Sequence, residues 1–168
     1  MATSIATLSR ADAPPPPVVP RHARYVVEIG QMRNMTTVRT GDLEDTLRQA
    51  ARSQAQSLPG AAVFDAGDPQ ADRAASRMPV LLLEGSLVRL SQAPSGGSMH
   101  IDARVEFSVR RVPQQTLKGT LSGGASTVES MRGGLTGSRL QELTEQTIDG
   151  AVESAMRGAD RGLELAAK

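Results

Sequence analysis

The sequence contains no cysteine and no tryptophan, and its aromatic residues are Tyr25, Phe64 and Phe107. The absence of cysteine excludes disulfides, thiolate metal ligands, cysteine nucleophiles and a lipid-bearing cysteine within the chain as given. Because aromatic residues are so few, we expect a core built from Leu, Val, Ile, Met and Ala.

An excess of charge of one sign is also lacking. The 19 lysines and arginines are balanced by 18 acidic residues, which leaves a formal net charge of +1. This balance gives no electrostatic footprint for an anionic polymer, so we expect no nucleic-acid partner. No run approaches the ~20 apolar residues of a spanning helix, so we expect no membrane span.

The first residues lack the basic start and apolar block of a secretion signal. We therefore expect either a cytoplasmic protein or a mature chain whose leader was removed. Residues 1–24 show no hydrophobic period and contain Pro14 to Pro17 and Pro20. Because proline fixes φ and supplies no backbone donor, they predict a disordered, proline-rich arm. Residues 25–168 then form a single domain with one core.

Two strands organise the predicted domain, Val80–Ser91 and Met99–Val112. The second alternates apolar and polar residues strictly, which predicts one buried and one exposed face. The link 92–98 contains Pro94, Gly96 and Gly97 and is typical of a hairpin loop. A third run, Thr116–Val128, extends the pair into a meander.

The other elements flank this meander. Tyr25–Gly30 and Ala61–Phe64 are predicted strands on either side of a helix over Asp42–Leu58, which Thr40 or Asp42 can cap. Strand, helix and strand at this spacing predict a parallel pair with a right-handed crossover. Residues 65–77 are predicted to be a surface loop, and 122–137 a flexible, glycine-rich lead into the last helix.

The last predicted helix covers residues 138–166, with Ser138 and Gln141 as a capping box. Ala151, Ala155 and Ala159 recur at four-residue spacing, which lets a helix lie close to a sheet. The whole chain therefore reads β-α-β-β-β-β-α.

This order predicts an α+β two-layer sandwich, in which two helices cover one face of a mixed, mainly antiparallel sheet. We expect one core that contains Leu47, Leu81, Leu83, Ile101, Val105, Phe107, Ile148 and Val152. The other face is expected to stay exposed. It carries the candidate interaction residues His100, Asp102, Arg104, Glu106, Arg110 and Lys118.

Catalytic and metal-binding patterns are missing from the sequence. His22 and His100 lack the spacing of a metal site, and no GxSxG elbow surrounds a serine. Charges of alternating sign, as at Asp102, Arg104 and Glu106, are typical of a solvated face. We therefore predict no enzyme, no cofactor and no metal. The turn Gly133–Ser138 opens a helix, and helix N-termini attract anions, but it lacks the lysine of a P-loop.

The arrangement resembles the small α+β domain of bacterial envelope lipoproteins, such as the peptidoglycan-synthase activator LpoB, the amino-terminal domain of TolB and CsgG. The resemblance rests on the proline-rich arm, the strand Tyr25–Gly30 leading to Asn34, the helix Leu43–Leu58, the strand around Leu83–Leu87 and the closing helix. Such domains bind other proteins. The resemblance therefore implies a periplasmic or envelope-associated protein without catalysis.

Three functions remain open from the sequence. The first is a non-enzymatic interaction module of the bacterial envelope that binds a protein partner through the exposed sheet face, an edge or loops such as 31–41. The alternative is a structural subunit of a larger assembly or oligomer, whose arm and glycine-rich loop order on contact. The third is a small-ligand or nucleotide binder at Gly133–Ser138.

Overall fold

The structure is a computed structural model that describes residues 20, 22–39 and 41–168. Its elements, in chain order, are β1 (Tyr25–Asn34), α1 (Leu43–Gln56), β2 (Ala61–Asp65), α2 (Pro69–Ala75), β3 (Val80–Ser95), β4 (Ser98–Val112), β5 (Thr116–Ser130), α3 (Gly137–Met156) and α4 (Ala159–Ala167). Most of the predicted arm, residues 1–19 and 21, lies outside the described residues. Within the described part, no helix has the length and apolar character needed to cross a bilayer.

The five strands form one sheet in the order β2-β1-β3-β4-β5. β1 lies parallel to β2 and to β3, whereas β3, β4 and β5 are antiparallel neighbours. The predicted α+β class and the mixed, mainly antiparallel sheet are therefore confirmed. The predicted parallel pair of Tyr25–Gly30 with Ala61–Phe64 is also confirmed.

The hairpin between β3 and β4 is tighter than the sequence predicted. The ladder continues to Ser95 and Ser98, so the turn consists of Gly96 and Gly97, with φ of +60° and +80°. Two-residue hairpin turns of this hand need positive φ at both positions, which glycine adopts without strain. The predicted loop over 92–98 is wrong because these two glycines allow both strands to extend.

The core lies between the sheet and the layer formed by α1, α3 and α4. All eight residues predicted for the core are buried in one cluster. Asp42 caps α1 as expected, since its side chain accepts a hydrogen bond of 3.0 Å from the backbone N–H of Asp45. One face of each long strand is thus covered by helices, as the alternating pattern indicates.

The stretch 65–77 contains a short helix, α2, where a surface loop was predicted. Asp68 caps α2 and Pro69 lies in its first turn. Its one buried residue, Ala71, joins Val26 and Phe64 in a second apolar cluster on the opposite face of the sheet. Seven residues with a single buried position carry no helical period, which is why the sequence pattern missed this helix.

The end of the chain also differs from the single capped helix that was predicted. Thr136, not Ser138, caps α3, because its hydroxyl accepts a hydrogen bond from the backbone N–H of Arg139 at 3.2 Å. The helix breaks at Gly158, whose φ of +79° lies in the left-handed region, and α4 follows. Leu163 of α4 is nevertheless buried in the main core.

The two layers approach each other closely at Gly123 of β5. A Cβ placed on Gly123 would lie 2.2 Å from the backbone nitrogen of Ala155 and 2.3 Å from the carbonyl oxygen of Ala151. The predicted close packing of the alanine face of the last helix is therefore confirmed. Gly123 belongs to a strand and not to a flexible lead, and only a residue without a side chain fits there.

We expect Gly123→Ala to lower the free energy of unfolding by about 1–3 kcal/mol, because the added methyl group forces α3 away from β5. Gly119→Ala is the matched control on the same strand, since nothing lies within 4 Å of a Cβ at that position. Urea unfolding of both variants checks this. Equal midpoints for the two variants would contradict the close contact.

Candidate functional site

The face of β3, β4 and β5 that points away from α1 and α3 is called the outer face here. The side chains of β4 that alternate with the buried ones lie on it. Five of the predicted candidates therefore share this face: His100, Asp102, Arg104, Glu106 and Arg110. The sixth, Lys118, is exposed on β5 at a bulge, where the register shifts beside Val109 and Arg110.

Two of these candidates are already engaged by neighbouring strands. Asp102 accepts hydrogen bonds from Ser91 of β3 and Ser126 of β5. Arg110 forms an ion pair with Glu84, with 3.4 Å between its Nε and the carboxylate. Because both members of that pair are about one-third exposed or more, solvent screens the attraction. These contacts fix the positions of side chains on the outer face and contribute little to the free energy of unfolding.

A shallow depression of about 550 Å³ lies in the middle of the outer face. Gly85 is among the residues that line it. A Cβ at Gly85 would point to the core side of β3, 2.5 Å from the ring of the buried Phe107, so no other residue fits there. The lining surface is polar and apolar in about equal parts, and it includes four hydroxyls, those of Ser86, Ser108, Thr120 and Ser122. Arg33 and the exposed Met35, from the end of β1, border it.

Arg89 is a residue of the outer face that the sequence analysis missed. The register shifts between Leu87 and Arg89, so that Arg89 faces Arg104 of β4 directly. Without this shift Val88 would face Arg104, and Arg89 would point into the core. The sequence does carry a signal for the bulge, because the buried Leu87 and Leu90 are three positions apart and cannot share a face of a regular strand.

The edge formed by β5 is the second feature of this surface. β5 is 15 residues long and has no strand on its far side within the described part of the chain. Between Gly119 and Val128 it carries no charged side chain, and none of its residues is fully buried. Edge strands are ordinarily protected by charges, proline, short length or a covering element. The middle of β5 has none of the first three.

The turn Gly133–Ser138 is the third predicted site. Arg139, which lies beside it, is already paired with carboxylates of this chain. Arg139 forms ion pairs with Glu142 at 2.9 Å and with Glu129 at 3.3 Å. These two hydrogen-bonded carboxylates also raise the pKa of Arg139. The backbone there bends through Gly133 and Gly134, both with positive φ, and Thr136 caps the helix.

One carboxyl group of β1, that of Glu28, has a perturbed pKa. Glu28 of β1 is half-buried, and its burial raises its pKa above the ordinary value, with a further contribution from the negative charge of Asp72. The charged form of Glu28 is therefore less favourable in the folded protein than in the unfolded chain.

Comparisons with known proteins give the fold. No protein-family model and no curated protein sequence matches the chain. A solved structure from Xanthomonas campestris, described as family DUF330, aligns with 89% of this chain and 90% of its own length, at 9% identity and a TM-score of 0.60. The PelC dodecamer from Paraburkholderia phytofirmans aligns with 79% of this chain and 86% of its own, at 11% identity and a TM-score of 0.51.

A third structure is described as a neuraminyllactose-binding hemagglutinin homolog from Helicobacter pylori. It aligns with 90% of this chain and 89% of its own length, at 11% identity and a TM-score of 0.50. Structures described as bacterial lipoproteins also align, at TM-scores of 0.45 and below. What the comparisons show is the α+β fold, which this chain shares with the Xanthomonas, Paraburkholderia and Helicobacter structures. The assignment to the LpoB, TolB and CsgG group stays a prediction.

The raised pKa of Glu28 leads to a pH-dependent prediction. The protonated form of Glu28 is favoured in the folded protein. Its contribution to the free energy of unfolding is lost as pH rises from 4.5, the ordinary pKa of a glutamate, through the raised pKa of Glu28. We therefore expect Glu28→Gln to be more stable than the parent protein at pH 7 and indistinguishable from it at a pH well below 4.5. Thermal unfolding at both pH values measures the difference.

The matched control is Glu106→Gln, at an exposed position of the outer face. This variant is expected to melt within a degree or so of the parent protein at both pH values, since exposed charges contribute little. A variant Glu28→Gln that is less stable at pH 7 would contradict the burial of an unfavourable charge.

Proposed function

We propose that this chain is a non-enzymatic interaction module of the bacterial envelope that binds a protein partner through the outer face and the β5 edge. The observation that carries the proposal is the free edge of β5. Its backbone N–H and C=O groups can hydrogen-bond an added strand, which is a recurrent way for proteins to recognise one another. The adjoining outer face would supply the side-chain contacts that make the binding specific.

The state of the charged groups on the outer face supports binding over catalysis. Asp102 is held by two serine hydroxyls and Arg110 by Glu84. A general acid or base needs a perturbed environment and a place for a substrate atom beside it. The outer face is open and shallow, which suits a surface that meets another protein.

The envelope location is also part of the proposal. It is supported by the resemblance to envelope lipoprotein domains and by the fold shared with bacterial structures, among them one described as a hemagglutinin homolog. Membership of the LpoB, TolB and CsgG group would add a periplasmic location.

The experiment that tests the proposal compares capture of partner proteins from an envelope extract of the source bacterium. The tagged parent chain is compared with a Thr120→Lys/Ser122→Lys double variant, which places two charges on the unprotected part of β5. Ser122 faces Glu106 across the ladder, so the new charge has a carboxylate opposite it and the fold is expected to persist. We expect partners captured by the parent to be reduced at least ten-fold with the double variant.

The control is Gln56→Lys, which adds a charge at an exposed position at the end of α1. It is expected to capture the same proteins as the parent. Circular dichroism checks that all three chains are folded alike. If the β5 variant captures the same set in the same amount, the edge is not the binding surface.

A second candidate function is a subunit of a homo-oligomeric assembly, in which the partner at β5 is another copy of the chain. It is supported by the fold shared with the PelC structure, which is described as a dodecamer. Light scattering after gel filtration measures it directly. A mass several times 17.7 kDa that falls to the monomer in the β5 variant is expected. A monomeric parent at every concentration would exclude this candidate and leave the first in place.

A further inference from the structure

The pairing of β3 with β4 brings two arginines directly opposite each other. Arg89 and Arg104 are register partners on the outer face, and both are exposed. Like charges at directly opposed positions of a sheet repel each other and destabilise the pairing. A carboxylate at one of these two positions would instead stabilise the pairing.

Neither arginine is neutralised within the described part of the chain. The ion pairs found there involve Arg24, Arg52, Arg110, Arg139 and Arg157, and the side-chain hydrogen bonds include neither Arg89 nor Arg104. Asp102 and Glu106 flank Arg104 on the same face of β4, but among the described residues neither forms an ion pair with Arg89 or Arg104. Serines from the strands on both sides donate hydrogen bonds to the two oxygens of Asp102. Within the described residues, the two guanidinium groups thus face each other without an ion pair to either of them.

A backbone irregularity is what creates this pair. The bulge at Val88 rotates Arg89 to the outer face and returns Leu90 to the core opposite Ala103. Bulges commonly re-aim a side chain next to a functional site. The same row continues onto β5 with Gly124, which faces Arg104 and carries no side chain. The approach to the pair from the β5 side is therefore open.

We propose that Arg89 and Arg104 together bind one oxyanion, a carboxylate or phosphate group, on the outer face. Each guanidinium presents parallel N–H donors that match the two oxygens of such a group. Binding relieves the repulsion between the two arginines, so the anion couples to the stability of the sheet. The site goes beyond the proposed function, because it holds for a free ion as well as for an acidic residue of a protein partner.

Thermal unfolding of the purified chain in sodium phosphate and in sodium chloride, at equal ionic strength and pH, tests the site. At ten times the dissociation constant, phosphate is expected to raise the melting temperature by about 3–5 °C over chloride. Arg89→Gln and Arg104→Gln are each expected to lose this increment. Arg161→Gln, at an exposed position of α4, is the control with the same charge change and is expected to keep it.

Two further arms identify the source of the oxyanion. Sodium acetate presents a free carboxylate, and a tetraglutamate peptide presents several carboxylates on a polypeptide. Amide chemical-shift changes on titration with each probe are expected to centre on residues 88–90 and 103–105. A response to the peptide at lower concentration than to acetate or phosphate would assign the site to an acidic protein segment. A response led by phosphate would assign it to a phosphate group.

The proposal is overturned if no probe stabilises the parent chain more than chloride does, or if the two arginine variants and the control respond alike. In low salt without a probe, both arginine variants are expected to melt no lower than the parent, which verifies that they fold. The β5 variants leave Arg89 and Arg104 in place, so loss of partner capture and loss of oxyanion binding are separate results.

Discussion

The contact between the alanine face of α3 and the backbone of β5 at Gly123 is the constraint on which the arrangement of the domain depends. With 2.2 Å between a hypothetical Cβ of Gly123 and the nitrogen of Ala155, the helix lies directly against the strand. This contact brings the helix layer out to the last strand of the sheet. It allows Ala151 and Val152 to be fully buried although the core has few aromatic side chains.

The helix layer covers a single face of the long strands. Because α1, α3 and α4 all lie on one face, the long strands β3, β4 and β5 present their alternate side chains to solvent. The short helix α2 packs on the opposite face in a cluster with Val26 of β1, Phe64 of β2 and Val80, the first residue of β3. The polar part of that face and the free edge of β5 therefore adjoin each other. A partner that pairs with the edge would also meet the side chains of the outer face.

The charged residues of the outer face differ in whether another side chain of the sheet pairs with them. Arg110 forms an ion pair with Glu84, and Asp102 accepts hydrogen bonds from two serines, whereas Arg89 and Arg104 oppose each other. An exposed ion pair changes stability little, and an exposed pair of like charges has a definite cost. This difference separates Arg104 from the candidates beside it. Substitutions of Arg89 and Arg104 therefore say more about binding to this surface than substitutions of the other charged residues.

The sequence by itself determined the elements whose signals are local and repeated. The alternation from Ile101 to Val109 predicted which side chains of β4 are buried, and the start of α1 was predicted with Thr40 or Asp42 as its cap. The spacing of the alanines in the last helix predicted its close approach to the sheet. These predictions succeed because a period of two or of about 3.6 residues states which face is apolar, whatever the partner is.

Only the tertiary structure decided the features that depend on register or on a few contacts. A bulge of one residue determines that Arg89 faces Arg104. The position of Leu90 in the sequence indicates a bulge, but it does not indicate which residue of β4 lies opposite Arg89. α2 packs in a small cluster with residues of β1, β2 and β3, and Gly123 lies in β5, where it pairs with Val105 of β4 and packs against α3. Shifting a strand by one residue exchanges its two faces, so the assembly of the outer face follows from pairing between strands and not from any one segment.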